Sequence, residues 1–287
     1  MTERDTPEEP FDRDRQARLA EKFAALHRRG DPLLLPNAWD VASAAVIARA
    51  GAAAIATTSA GMAWSLGVPD AADLGAGRVA AVVRGIAGAV SVPVSADVEA
   101  GYGPAPEDVA ATVAAVVRAG AVGVNLEDRS GRADTPLFEP EEQAGRLAAA
   151  RAAADRLGVP VWINARTDVF LTGAPAREGV REALRRAAGY AEAGADSLFV
   201  PGLTDPEAIA ELAAGPLPVA VMVWAGAPPV AELAAAGAVR VSLGAAIAQA
   251  AYALAARAAG ELLTAGTYDG TASGGEADGL NELLARP

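Results

Sequence analysis

Asp97 and Glu99 stand two residues apart at the end of a short apolar run, and Gly101-Tyr102-Gly103 follows at once. Side chains at i and i+2 share a face of an extended strand, so this spacing predicts two carboxylates pointing the same way. The glycines let the chain turn tightly and approach a ligand closely. A Gly-rich turn carrying two solvated acids is the plainer alternative. Two later runs end in similar chemistry, one in Glu127 and Asp128, the other in Asn164, Arg166 and Asp168. Earlier runs end in Asn37 and Asp40, then in Thr57, Thr58 and Ser59. Carboxylates gathered at one rim resist ionising together unless a cation sits among them. The chain has no cysteine and one histidine, so an oxygen-only ligand set points to Mg2+ or Mn2+ and away from zinc. Helix capping or water binding is the other use for such acids, but Arg166 alone is too little charge to neutralise them.

For these residues to meet, the runs that end in them must lie side by side. Eight β-branched or apolar runs are read as strands, at 32–37, 53–59, 92–99, 121–128, 159–167, 195–202, 218–224 and 238–244. Between them lie segments of helical period, including 106–119, 140–157 and 175–193, which start near Pro and an acid. Little polar alternation within the strands implies burial on both faces, as in a parallel sheet. Ala-Gly-Ala precedes strands at 50–52, 119–121, 193–195 and 236–238, and Pro-Val opens intervening ones at 93–94, 160–161 and 218–219. Gly suits a helix C′ position, and Pro suits a strand's first residue. A two-unit beat repeated about four times predicts an α/β (β/α)8 TIM barrel, whose site lies at the strand C-terminal ends. A doubly wound open sheet is the competing architecture.

The ends read separately. Residues 1–30 form an arm with an extra N-terminal helix over 12–29, residues 31–265 the barrel, and 266–287 a linker-like tail expected to be flexible. The long apolar segment 245–265 is expected to pack as a helix on a neighbouring subunit.

Composition excludes whole classes. A 52% hydrophobic and 21% charged chain of 287 residues is not disordered and can bury a full core. Without cysteine it has no disulfide, thiolate zinc site or cysteine nucleophile, and one histidine argues against a His-based triad. A net charge of −12 disfavours an extended nucleic-acid surface. The charged N-terminus lacks a signal-peptide core and no apolar stretch reads as a membrane span, so a cytoplasmic protein with neither nucleic-acid nor membrane partner is expected. Gly75-Ala76-Gly77-Arg78-Val79-Ala80 matches a dinucleotide-binding pattern, but no apolar strand precedes it, so it reads as a helix start. His27, ahead of every strand, reads as a packing residue. The polar, glycine-punctuated stretch 127–135 reads as a mobile lid.

Five motifs in order resemble the isocitrate lyase/phosphoenolpyruvate mutase superfamily. They are Pro36-Asn37-Ala38-Trp39-Asp40, Thr58-Ser59-Ala60 with Leu66-Gly67-Val68-Pro69-Asp70, the Asp97–Gly103 segment, Leu126-Glu127-Asp128, and Asn164-Ala165-Arg166-Thr167-Asp168. Each is weak alone; their order at consecutive strand ends is specific. The resemblance implies a (β/α)8 barrel, one Mg2+, small 2-oxo or 2-hydroxy carboxylate substrates, and helix-swapped homodimers or homotetramers. By the same likeness Asp97 matches the direct metal ligand, and Asp70, Glu99 and Glu127 the acids that hold its waters. Arg166 matches the arginine that grips the substrate carboxylate, and Ser59 and Ala60 the loop whose amides receive substrate oxygens. Asn164 joins the expected substrate-binding set. Arg166, Glu127, Tyr102 and Arg132 form the expected catalytic set, with Asp134 a further choice for moving the proton.

The departures narrow the reaction. The lyases' Lys-Lys/Arg-Cys-Gly-His loop is absent, as are the Lys and Asn of the mutase and phosphonopyruvate hydrolase lid; here the segment reads Glu127-Asp128-Arg129-Ser130-Gly131-Arg132. What remains is Mg2+-assisted carbon–carbon cleavage through an enolate by a lyase, decarboxylase or hydrolase. A phosphonate-type mutase or hydrolase, or a non-catalytic barrel that binds metal and small carboxylates, are the alternatives.

Overall fold

Every strand pairs in parallel, and the pairing runs almost full circle. The computed structural model describes residues 11–272 and 279–285. Its strands are β1 (Leu33–Leu35), β2 (Asn37–Ala38), β3 (Ile55–Thr57), β4 (Val94–Asp97), β5 (Gly123–Glu127), β6 (Trp162–Arg166), β7 (Ser197–Phe199), β8 (Val219–Met222) and β9 (Ala238–Ser242). Their spatial order is β1-β9-β8-β7-β6-β5-β4-β3-β2. Pro36 separates β1 from β2, and it has no N–H to give a ladder. β1 pairs with β9 and β2 with β3, so these two pieces act as one strand, and the eight expected runs become a barrel.

Helices alternate with the strands: α1 (Arg13–Ala25), α2 (Val41–Arg49), α3 (Ser59–Ser65), α4 (Gly75–Ala89), α5 (Pro106–Arg118), α6 (Pro140–Leu157), α7 (Ala176–Glu192), α8 (Pro206–Ala213), α9 (Val230–Ala235), α10 (Ala246–Ala265) and α11 (Leu280–Leu284). Proline opens α5, α6 and α8, where a missing N–H costs nothing. Asp40 caps α2 in a reciprocal box with Ser43, the bland role open to a rim acid. Gly75 begins α4, so the dinucleotide-like pattern is a helix start. On α5, Val109, Val113, Val116 and Val117 are fully buried at helical spacing, each contributing about 1.5–3 kcal/mol of burial energy.

α1 closes the barrel's N-terminal end. Gln16 Nε2 donates to the carbonyls of Val117 and Ala121, and Phe23 is fully buried beneath the strands. A Cβ at Gly123 would lie 2.6 Å from the Phe23 ring, so only glycine fits that point of β5. His27 stacks on Trp162 with ring centroids 4.1 Å apart, which gives it the packing role expected.

Two segments depart from the sequence reading. The strand expected over 92–99 stops at Asp97, and Glu99 takes a left-handed φ of 49°. Glu99 therefore reaches the rim through a turn and not from the pleat face it was expected to share with Asp97. The linker-like composition after Gly266 gives way to α11, which rests against α2; residues 1–10, 273–278 and 286–287 of the expected arm and tail lie outside the described residues. α10 buries only Ala248 and leaves Tyr252, Leu254, Leu262 and Leu263 exposed. Among the described residues no helix is long and apolar enough to cross a membrane.

Candidate active site at the barrel mouth

Parallel register brings the strand-end residues together. Glu127 lies beside Arg166 on the next strand, and Arg166 beside Phe199 on the one after. Arg166 donates from Nε to Asp168 Oδ1 at 2.6 Å and from Nη2 to Asp168 Oδ2 at 3.0 Å, while Nη1 lies 2.8 Å from Glu127 Oε2. Arg129 adds a longer contact to Asp168 at 3.4 Å. Burial opposes the Arg166 charge, but Glu127 and Asp168 more than offset it and hold the guanidinium above its ordinary range.

The acids lie around this pair. Asp97 is buried; its Oδ2 accepts from the Ser59 amide at 3.1 Å, and its own amide donates to Thr57 Oγ1 at 2.8 Å. Glu99 Oε1 accepts from the Tyr102 hydroxyl at 2.8 Å. Both Glu99 and Tyr102 have left-handed backbones, at φ 49° and 52°, each a cost of about 1–2 kcal/mol for a residue with a Cβ. Burial pushes the Glu99 carboxyl up to about 7; Tyr102 opposes the rise, and the Asp97 and Asp70 charges add to it. Burial likewise raises Glu127 to about 8, with Arg166 opposing and Asp168, Asp97 and Glu99 adding to the rise. Two carboxyls that resist ionisation side by side are groups whose charge a bound cation would stabilise.

The structure sorts the expected site residues. Asp97, Glu99, Glu127, Tyr102 and Arg166 share the mouth, with Ser59 and Ala60 in the first turn of α3 beside Asp97. Asp70 is exposed on the loop after α3, its Oδ1 accepting from the Ala71 amide. Arg132 stands on an exposed hairpin joined by an Arg129–Leu137 bridge, and it contacts Glu142 and the Phe138 ring instead of the acids. Asp134 is exposed on the same hairpin. Asn164 lies one layer below the rim, donating to Asn125 Oδ1 at 2.7 Å and accepting from Ser197 Oγ at 2.5 Å, so both ends of its amide are engaged. Asp128 is structural: it is fully buried and accepts from the Asp168 amide, Arg186 and Tyr190, each at 3.0 Å. Among the described residues, no group of three Asp, Glu or His side chains forms a ready-made metal cage.

Arg240 escaped the sequence reading. It projects from β9 into the barrel, 1% exposed, and donates to Asn125 Oδ1 at 3.0 Å while its Nε and Nη1 find no protein partner. Burial lowers it to about 10, against the pull of Asp97. Its guanidinium and that of Arg166 each lie 6.0 Å from the Phe199 ring. The available signal was a charged residue at an inward position of an otherwise apolar strand.

Comparison with known proteins agrees with the fold of the chain. A family model described as phosphoenolpyruvate phosphomutase matches residues 23–263. The chain belongs to that family. A Burkholderia cenocepacia J2315 structure, provisionally described as a lyase or mutase, is 40% identical with a TM-score of 0.86, covering 96% of this chain and 98% of that one. The 2-methylisocitrate lyase of Escherichia coli K12 is 33% identical over 199 residues, which cover 67% of this chain and 62% of the lyase. A phosphonopyruvate hydrolase solved with oxalate and Mg2+ is 26% identical with a TM-score of 0.78, over 92% of this chain and 95% of that one. The phosphoenolpyruvate phosphomutase family thus includes, among this chain's relatives, enzymes with lyase and hydrolase activities on small acids, within the isocitrate lyase/phosphoenolpyruvate mutase superfamily.

Proposed function

We propose that this protein is an Mg2+-dependent enzyme that cleaves a carbon–carbon bond of a small 2-oxo or 2-hydroxy carboxylate through an enolate. The observation that carries this reading is the convergence of Asp97, Glu99 and Glu127 around Arg166 at the barrel mouth. The donor set is all oxygen, as Mg2+ requires, and Mn2+ would be accepted by the same carboxylates. Asp97 would bind the ion directly, and Glu99, Glu127 and the rim residue Asp70 would hold its waters. When bound, Mg2+ supplies Lewis-acid polarisation of the substrate's 2-oxo oxygen.

The chain's own residues then have separate tasks. The two-point contact with Asp168 fixes the plane of the Arg166 guanidinium, so Nη1 can exchange Glu127 for a substrate carboxylate without losing its orientation. Ser59 and Ala60 would offer backbone amides to substrate oxygens. Tyr102 and Glu99 share a hydrogen bond across which a proton can be held. Arg132 would join only with the hairpin folded inward. Asn164 would act from below, through Asn125, by stiffening the floor.

The test is a screen of oxaloacetate, substituted malates and phosphonopyruvate with Mg2+, read by release of pyruvate, glyoxylate, oxalate, CO2 or phosphate. Mg2+-dependent release from a carbon acid supports the proposal. Turnover of phosphonopyruvate alone replaces it with phosphonate chemistry. Metal binding without any turnover leaves a non-catalytic barrel.

A further inference from the structure

The acidic loop that carries Glu99 and Tyr102 is held by a residue outside the mouth. Arg146, on the buried side of α6 and fully inaccessible, donates from Nη2 to the Ala100 carbonyl and from Nη1 to those of Gly103 and Pro104. These three carbonyls bracket Tyr102, and the first belongs to the residue after Glu99, so the contacts enclose one of the loop's two left-handed, non-glycine residues and adjoin the other. A backbone held in a sparsely populated region persists only where its surroundings over-determine it. Thr112 Oγ1 takes the Gly101 carbonyl at 2.8 Å, and the Glu127 amide takes that of Glu99 at 2.9 Å. Of the carbonyls from 99 to 104, Arg146 alone accounts for three.

The Cζ of the same guanidinium lies 4.2 Å from the centroid of the Phe138 ring, and that of Arg132 lies 5.4 Å from it. Phe138 closes the 129–137 hairpin, its amide donating to the Asp128 carbonyl at 2.8 Å. One buried cation therefore joins the acidic loop to the base of the hairpin.

We infer that Arg146 is a positioning residue of the mouth: it holds the 99–104 loop in the strained form that presents Glu99 and Tyr102 to the metal site, and ties that form to the closed base of the hairpin. This rests on the reading of Asp97 and Glu99 as metal-holding acids. Its charge is not what the loop needs, since any cation could supply charge. A planar fork that reaches three carbonyls at once is something lysine cannot reproduce.

The experiment titrates Mn2+ into the full-length protein by calorimetry and follows amide hydrogen exchange of residues 98–105. Wild type is compared with Arg146→Lys, Arg146→Met and Thr112→Val. Arg151→Met is the matched control: Arg151 lies on the same helix and also pins carbonyls, but those of Val161 and Gly194 away from the mouth. In Arg146→Lys the expected results are Mn2+ affinity lower by about tenfold or more and faster exchange in the loop. Thr112→Val should show the same trend more weakly. Arg151→Met should lower the melting temperature and leave both readouts at wild-type values. Unchanged Mn2+ affinity and loop exchange in a folded Arg146 variant overturn the inference. If neither Arg146 variant folds, Thr112→Val decides it on the same two readouts. Wild type that binds no Mn2+ contradicts the metal reading itself and takes with it what Arg146 is said to do for metal, while loop exchange still tests whether Arg146 holds the loop.

Discussion

Arg166 and Asp168 meet at two points, Nε to Oδ1 at 2.6 Å and Nη2 to Oδ2 at 3.0 Å, with the Asp168 side chain sealed from solvent. The third contact of the guanidinium, to Glu127 at 2.8 Å, reaches across to the neighbouring strand. In the proposed mechanism the first pairing fixes an orientation and the second is the one a substrate carboxylate would replace. That division separates a substrate-gripping arginine from one that only neutralises acids.

Arg166→Lys keeps the charge and loses the fork. A charge-assisted grip of this kind is worth about 1.5–3 kcal/mol, so kcat/KM on the true substrate should fall by about tenfold or more. If Arg166 were only a structural counter-ion, the variant would melt earlier yet keep wild-type kcat/KM once folded. Steady-state kinetics beside a melting curve separates the two.

His27 should make folding stability depend on pH. Burial, with Arg240 adding to it, lowers its pKa from 6.5 to about 3, against the hydrogen bond to the Phe23 carbonyl. Between those values the unfolded chain binds a proton that the folded chain does not. Stability from this group is therefore complete above pH 6.5 and is lost as pH falls toward 3, at up to about 1.4 kcal/mol per pH unit. Glu99 and Glu127, raised in the folded state, contribute in the opposite direction, so the measurement is a difference. His27→Phe keeps an aromatic ring against Trp162 and removes the titration. Urea unfolding at pH 7, 6 and 5 should show wild type losing more stability than His27→Phe; parallel curves would rule the linkage out.

α10 should bury its exposed side chains against a second copy of the chain. Leu263 is 83% exposed and Leu262 is 55% exposed, a poor arrangement for an isolated helix in water. The expected assembly is a homodimer or homotetramer. Sedimentation velocity at micromolar concentration should give that mass for wild type and a smaller one for Leu254→Glu with Leu263→Glu. A compact wild-type monomer contradicts it.

Strand ends were the legible part of this site. In a parallel barrel every strand's C-terminal end faces the same rim, so finding Asp97, Glu127 and Arg166 at run ends was enough to place them together. Glu99 defeated the same logic, because no residue type announces a left-handed turn without glycine. Asn164 alternates onto the inward face with Arg166, and that very register drops it a layer below the rim, into the pairing with Asn125. Asp70 follows a short helix into a loop whose path no periodicity sets. Arg146 and Arg186 come from helices far along the chain, and only tertiary packing shows that their guanidinium groups end among loop carbonyls and Asp128.

The metal site at the barrel mouth is tested most directly by calorimetric binding of oxalate, the ligand held with Mg2+ in the related hydrolase, to wild type and Asp97→Ala, each with Mg2+ and with EDTA. Wild type should bind oxalate in Mg2+ and lose that binding in EDTA. Asp97→Ala should bind no oxalate in either condition while keeping a folded melting transition. Equal oxalate binding in EDTA, or undiminished Mg2+-dependent binding by Asp97→Ala, would contradict the metal site at the barrel mouth.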